Sequence, residues 1–229
     1  MKTPGGKKLE AVDWSAFTPA PVVGVDEAGR GCLAGPVVAG AVLLRSNKKG
    51  TFADSKVLSA FRREELFKLI QTEHHYAVGF ASVAEIARLN ILHAALLAMR
   101  RAIRGLQLET CGHALIDGKF KVPRLQGWAQ TTLISGDARC EVIAAASIVA
   151  KVSRDRWMQK LARRYPHYGF EIHKGYGTPD HLARLAKVGP SPCHRLGFRG
   201  VLQETVAAVG DESPVLVEEF ELEAALSQR

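Results

Sequence analysis

An apolar segment that ends in two adjacent carboxylates, Asp26-Glu27, is followed after a short link by a second apolar run, residues 35–44. This pair constrains the fold more than any other feature of the chain. The second run is apolar on both faces, which predicts a central strand covered on each side. The short link predicts that residues 21–26 form a strand pairing with it antiparallel. Carboxylates at the end of a buried strand are costly unless compensated, and a divalent cation is the usual compensation. Gly29-Arg30-Gly31 follows at once and offers backbone N–H groups and a guanidinium, a combination suited to an anion such as a phosphodiester. On spacing alone an Asp-Glu pair before glycine reads equally well as a solvated turn. Metal ligands beside a phosphate-binding turn would instead point to metal-assisted phosphoryl transfer.

Further along, residues 59–71 predict a helix capped by Ser59, with Phe61, Leu66, Leu69 and Ile70 on a buried stripe. Residues 75–83 read as a strand, and residues 84–104 as one long amphipathic helix stopped by Gly105. Ala114-Leu115-Ile116 is a short strand ending at Asp117-Gly118, and residues 130–134 are another ending at Gly136-Asp137. Residues 141–164 read as a helix whose small, apolar first half suits burial against a sheet; Pro166 ends it. Short helices are expected at 179–187 and 201–208. Strands alternating with helices after a leading antiparallel pair describe an α/β fold, a mixed sheet flanked by helices. The expected divisions are a flexible arm at 1–20, a catalytic core at 21–165, a small C-terminal helical lobe at 166–208 and an acidic tail at 209–229.

Three strand-like segments thus end in acids: Asp26-Glu27, Asp117 and Asp137. An Asp before glycine is commonly only a turn residue, but the placement recurs three times. Neighbouring strand ends, about 5 Å apart, can bring such carboxylates within coordination reach of a metal. Asp155 lies inside the helix of 141–164, where an ion pair is the expected role.

The string Val-Gly-Val-Asp-Glu-Ala-Gly-Arg-Gly-Cys-Leu-Ala-Gly-Pro resembles the first signature of the prokaryotic ribonuclease HII family. A second long string, Gly-Asp-Ala-Arg-Cys-Glu-Val-Ile-Ala-Ala-Ala-Ser-Ile-Val-Ala-Lys-Val-Ser-Arg-Asp, resembles another, and the likeness spans residues 22–198. It implies a ribonuclease H-like fold and a site of four carboxylates, Asp26, Glu27, Asp117 and Asp137. It also implies two Mg²⁺ or Mn²⁺ ions that activate water and stabilise the departing 3′ oxygen. The implied activity is an endonuclease on the RNA strand of RNA–DNA hybrids that also nicks 5′ of single ribonucleotides in duplex DNA, leaving 3′-hydroxyl and 5′-phosphate ends. By the same resemblance Gly29, Arg30 and Gly31 contact the ribose and its phosphates, and Tyr176 packs on the adjoining sugar. A residue sensing the 2′-hydroxyl is what distinguishes RNA from DNA. Lys56, Lys151, Lys174, His194 and Arg195 are candidates for phosphate contacts. The related ribonuclease HIII pattern has Lys where Arg30 stands and a further N-terminal domain. A non-catalytic binder of hybrids would gain nothing from clustered carboxylates facing phosphates.

Composition agrees with a polyanionic partner. Of 31 basic and 23 acidic side chains, residues 209–229 hold six acids and one base, leaving residues 1–208 with 30 basic and 17 acidic, a net +13. The four cysteines lie far apart without a C-x-x-C pair, so reduced, mostly buried thiols are expected and a zinc site is not. His74, His75, His167, His173, His181 and His194 show no metal-binding spacing and read as scattered surface side chains. With no apolar run of membrane-spanning length and no signal-like N-terminus, the expected setting is the cytoplasm. The expected state is a monomer. The tail carries no sliding-clamp motif.

Overall fold

The strand Val37–Leu43 (β2) is buried at every position but its last, which demands a strand on each edge and a layer on each face. The computed structural model describes residues 10–45, 52 and 58–202 and supplies both. One edge of β2 pairs antiparallel with Val22–Ala28 (β1), with Asp26 opposite Gly40. The other pairs antiparallel with His75–Ala81 (β3). His113–Asp117 (β4) runs parallel to β1, and Ala129–Leu133 (β5) parallel to β4, completing a five-stranded sheet in the order β3-β2-β1-β4-β5. This is the mixed sheet flanked by helices that the sequence pattern predicts.

Alternation along the strands sorts their side chains into two cores. Val23, Val25, Val37, Ala39 and Ala41 face the helix Ile91–Gly105, while Val22, Val42 and Leu115 face the helix Glu141–Arg164. The latter sits very close to the sheet. A Cβ on Gly24 would lie 2.2 Å from the Val142 carbonyl oxygen, and one on Gly40 would lie 2.5 Å from that of Ala146. Two glycines on β1 and β2 facing a run of alanines let backbone approach backbone, which explains the small residues in the first half of that helix.

In chain order the helices are Ala60–Glu73 (α1), Val83–Leu89 (α2), Ile91–Gly105 (α3), Glu141–Arg164 (α4), Phe170–His173 (α5) and Pro179–Val188 (α6). The single helix expected over 84–104 is two. Asn90 turns to φ 65°, and its side-chain oxygen accepts the N–H groups of Leu92 and His93 to start α3. A Ser82–Glu85 capping box starts α2. The apolar spacing continues through the break, so periodicity alone conceals it. Phe61 is not on the buried face of α1 but 74% exposed; Phe67 takes the core place beside Leu66 and Ile70.

Residues 10–20, expected within a flexible arm, lie on the core. Val12 N–H donates to the Arg139 carbonyl, Arg139 Nε returns a bond to Glu10, and His113 holds the Thr18 carbonyl at 2.6 Å. After α4, a third apolar cluster joins Leu33 and Ala34 of the link with Met158 and Ala162 of α4 and Tyr168, Phe170 and Leu185 beyond it. Lys56, the helix expected over 201–208 beyond its first two residues, and the acidic tail lie outside the described residues. No helix among the described residues is long and apolar enough to cross a membrane.

Candidate active site

In the parallel register of β1 and β4, Val25 stands opposite Ile116, so the next positions along, Asp26 and Asp117, come side by side where that pairing ends. Asp117 Oδ1 accepts the Gly136 N–H at 2.7 Å, and that bond fastens the turn after β5 against the end of β4. The turn carries Asp137. This aspartate sits in the 3₁₀ segment Gly136–Ala138 leading into α4, rather than at a strand end as expected. Ser135, at φ 53°, makes the reversal.

Asp26 and Asp137 are buried, and Glu27 and Asp117 half-buried. Burial pushes the Asp26 carboxyl well above the usual range, and the charges of Glu27, Asp117 and Asp137 push it further. Three segments distant in sequence therefore bring their negative charge to one place. Three of the carboxylates lean on a local donor: Asp26 Oδ1 on the Glu27 N–H (2.6 Å), Asp117 on Gly136, and Glu27 Oε1 on Arg30 Nη1 (3.2 Å). As the side chains stand, no three His, Cys, Asp or Glu groups among the described residues are arranged to hold an ion. The donor chemistry is nonetheless that of a hard-cation site, because every group is a carboxylate.

The glycine link runs beside the carboxylates. Gly29 is at φ 95°, and a Cβ there would lie 1.9 Å from Arg154 Nε; Gly31 faces open space. Two buried guanidiniums hold this link from beneath. Arg154 donates to the carbonyls of Pro36 (3.1 Å), Ala34 (3.0 Å) and Lys174 (2.9 Å). Arg195 donates to those of Gly35 (2.9 Å) and Arg30 (3.0 Å). Leu33 N–H adds a bond to the Gly175 carbonyl, and Cys32 bridges to Tyr176, so the glycine link and the tyrosine segment form one rim. Tyr176 is 43% exposed there, with Lys151 Nζ 5.9 Å from its ring centroid.

Several expectations are corrected. Arg195 is 2% exposed and occupied with backbone, so it shapes the link and is not free to meet a phosphate. His194 is likewise 2% exposed, and His173 and His181 are buried with it in a cluster of rings. These three are not scattered surface histidines. Lys151 pairs with Asp155 at 2.7 Å, and Lys174 Nζ donates to the Glu171 carbonyl at 2.6 Å; both stay partly exposed at the rim. Asp155 thus has the ion-pair role expected of it. All four cysteines are free thiols, with Cys111 exposed and the other three buried. Sequence reading missed Arg154. Its signal was present: it occupies the i+4 stripe Ala146, Ala150, Arg154, Met158, Ala162, every other member of which is small or apolar.

Burial, with His181 next, pushes His194 down to about 4. A histidine ordinarily titrates near 6.5, so between these values the unfolded chain binds the extra proton and the folded one does not. The contribution is complete above about pH 6.5 and is lost as pH falls towards 4, on the order of 3 kcal/mol in all. Urea unfolding of the wild type and of His194→Gln, each at pH 7.5 and 4.5, is expected to show the wild type losing more stability over that interval. Equal losses would contradict the burial of a neutral ring.

The family model of ribonuclease HII matches residues 23–201. The ribonuclease HII of Albidiferax ferrireducens is 53% identical over 185 residues, spanning 80% of this chain and 87% of that protein. Among solved structures, a chain of the PCNA:RNase HII complex from Archaeoglobus fulgidus superposes with a TM-score of 0.67 at 26% identity, covering 81% of this chain and 97% of that one. The ribonuclease H2 from Pyrococcus horikoshii gives 0.64 at 26% identity, covering 79% and 94%.

Proposed function

The chain belongs to the ribonuclease HII family, and from that premise we propose that Asp26, Glu27, Asp117 and Asp137 hold the divalent cations its reaction requires. It is a metal-dependent endonuclease that hydrolyses the RNA strand of RNA–DNA hybrids. One observation carries the assignment of the site: carboxylates from β1, β4 and the turn before α4 converge on Asp26, which burial first and their charges second keep from ionising normally. Repulsion among converging carboxylates is relieved by a cation.

Bound Mg²⁺ or Mn²⁺ supplies an activated water and charge stabilisation for the departing oxygen. Where Glu27 holds the ion it would do so in place of Arg30, whose guanidinium, half exposed, would then be available to a phosphate. Gly29 and Gly31 keep the link free of side chains where a sugar-phosphate backbone approaches. Tyr176 stands on the same rim with its ring accessible, which supports the reading that it packs on the sugar next to the cleaved bond and helps sense the 2′-hydroxyl. Lys151 and Lys174, both partly exposed, would meet flanking phosphates, each after giving up its present partner. Action as a monomer in the cytoplasm completes the proposal.

The test is cleavage of a DNA duplex holding one ribonucleotide, with Mg²⁺, Mn²⁺ or chelator, the cut mapped to the nucleotide. A metal-dependent nick on the 5′ side of the ribonucleotide, leaving a 3′-hydroxyl, is expected. Cleavage confined to long hybrids would keep the metal site and remove the roles given to Arg30 and Tyr176. Binding without cleavage in either metal would leave a hybrid-binding module instead.

A further inference from the structure

The buried histidines make hydrogen bonds whose direction is set by their neighbours. Ser191 N–H can only donate, so His194 Nδ1, 3.0 Å away, presents its lone pair and the ring proton is on Nε2. That proton points at His181 Nε2, 3.1 Å distant, which is therefore bare. The His181 proton is then on Nδ1, where it donates to the Tyr176 carbonyl at 2.9 Å, an oxygen that also accepts the Thr178 N–H. His173 obeys the same rule: the Gly175 N–H donates to its Nδ1 at 3.2 Å, and its Nε2–H donates to the Tyr168 carbonyl at 2.6 Å. His173 and His181 stack with centroids 4.3 Å apart. The peptide that carries Tyr176 is thus gripped by imidazoles at both ends.

We propose that His181 and His194 are positioning residues for substrate recognition: a two-ring relay of fixed tautomers, anchored on Ser191, that sets the backbone of Tyr176 and so aims its ring at the ribose. The proposal rests on the reading of Tyr176 given above. It differs from a purely structural role in what it demands of the side chain. Packing alone needs apolar volume, which Leu supplies. The relay needs a donor at the Nδ1 position, which the Asn side-chain amide supplies and Leu does not. Small misplacements of a positioning group reduce turnover strongly, by up to about 10²-fold per ångström.

The full chain as wild type, Tyr176→Ala, His181→Asn and His181→Leu would be compared on the duplex with one ribonucleotide, reading kcat and KM separately alongside thermal unfolding. Tyr176→Ala is expected to cleave poorly. His181→Leu should lose roughly tenfold or more in kcat, approaching Tyr176→Ala, while His181→Asn stays within about threefold of wild type even where it is the less stable protein. Full activity in Tyr176→Ala would overturn the reading of Tyr176 and the relay's function with it. A defective Tyr176→Ala combined with equal activities for the two His181 variants would overturn the relay alone. Ring ¹⁵N shifts of the unmutated protein test the wiring directly, with His181 protonated on Nδ1 and His194 on Nε2 expected; the opposite tautomers would overturn it whatever the variants do.

Discussion

Asp26→Asn is expected to lose cleavage by about 10³-fold or more at saturating Mg²⁺ or Mn²⁺, equivalent to about 4 kcal/mol of transition-state stabilisation. The fold should survive unharmed. The Asn side chain keeps an oxygen to accept the Glu27 N–H that Asp26 Oδ1 now takes at 2.6 Å, and the change is nearly isosteric. It also removes a charge that burial and three other carboxylates already disfavour. The metal-free protein should therefore melt at the same temperature as the wild type or higher, while the stabilisation gained on adding Mn²⁺ shrinks. Activity assays and thermal melts with and without metal check both halves. Wild-type turnover in the variant would remove Asp26 from the site, and a sharp fall in metal-free stability would mean the carboxylate is structural.

The second large effect is on stability. Arg154→Met fills the same path through the core but strips the donors from three carbonyls, those of Ala34, Pro36 and Lys174. Arg154 is only 1% exposed, so water does not readily replace it. Each buried acceptor left unpaired costs about 1–3 kcal/mol, partly offset because burying a guanidinium is itself unfavourable. A net loss of about 4 kcal/mol follows, which for a chain of this size lowers the melting temperature by roughly 10 °C. Arg154→Lys, with its charge but no planar fork, should fall between. A melting temperature within about 2 °C of wild type would show that the link and the tyrosine segment hold together without this residue. Gly29 belongs to the same arrangement, since the Arg154 side chain fills the space a Cβ there would need.

Much of the molecule is legible from the chain alone. β2 declares itself central by being apolar on both faces, and the two glycines that admit α4 sit opposite a visible run of small residues. Asp26, Glu27, Asp117 and Asp137 stand out because acids closing strand-like segments recur three times and fall within motifs that resemble a known family. The failures have a common cause. The break at Asn90 is hidden because the apolar spacing is the same on both sides of it. Arg154, Arg195, His173, His181 and His194 were misread or passed over because a polar side chain looks identical in sequence whether it is solvated or buried against carbonyls.

The sequence by itself determined the strands, most helices and the family, and it singled out the four carboxylates proposed as metal ligands, because periodicity and motif are properties of neighbouring residues. Only the tertiary structure decided where Asp137 sits, why Gly29 must lack a side chain, and which polar groups hold the glycine link and Tyr176 together. Those depend on donors and acceptors that meet across as many as 165 positions of chain. Their pairing becomes obligatory only once folding has taken them out of water.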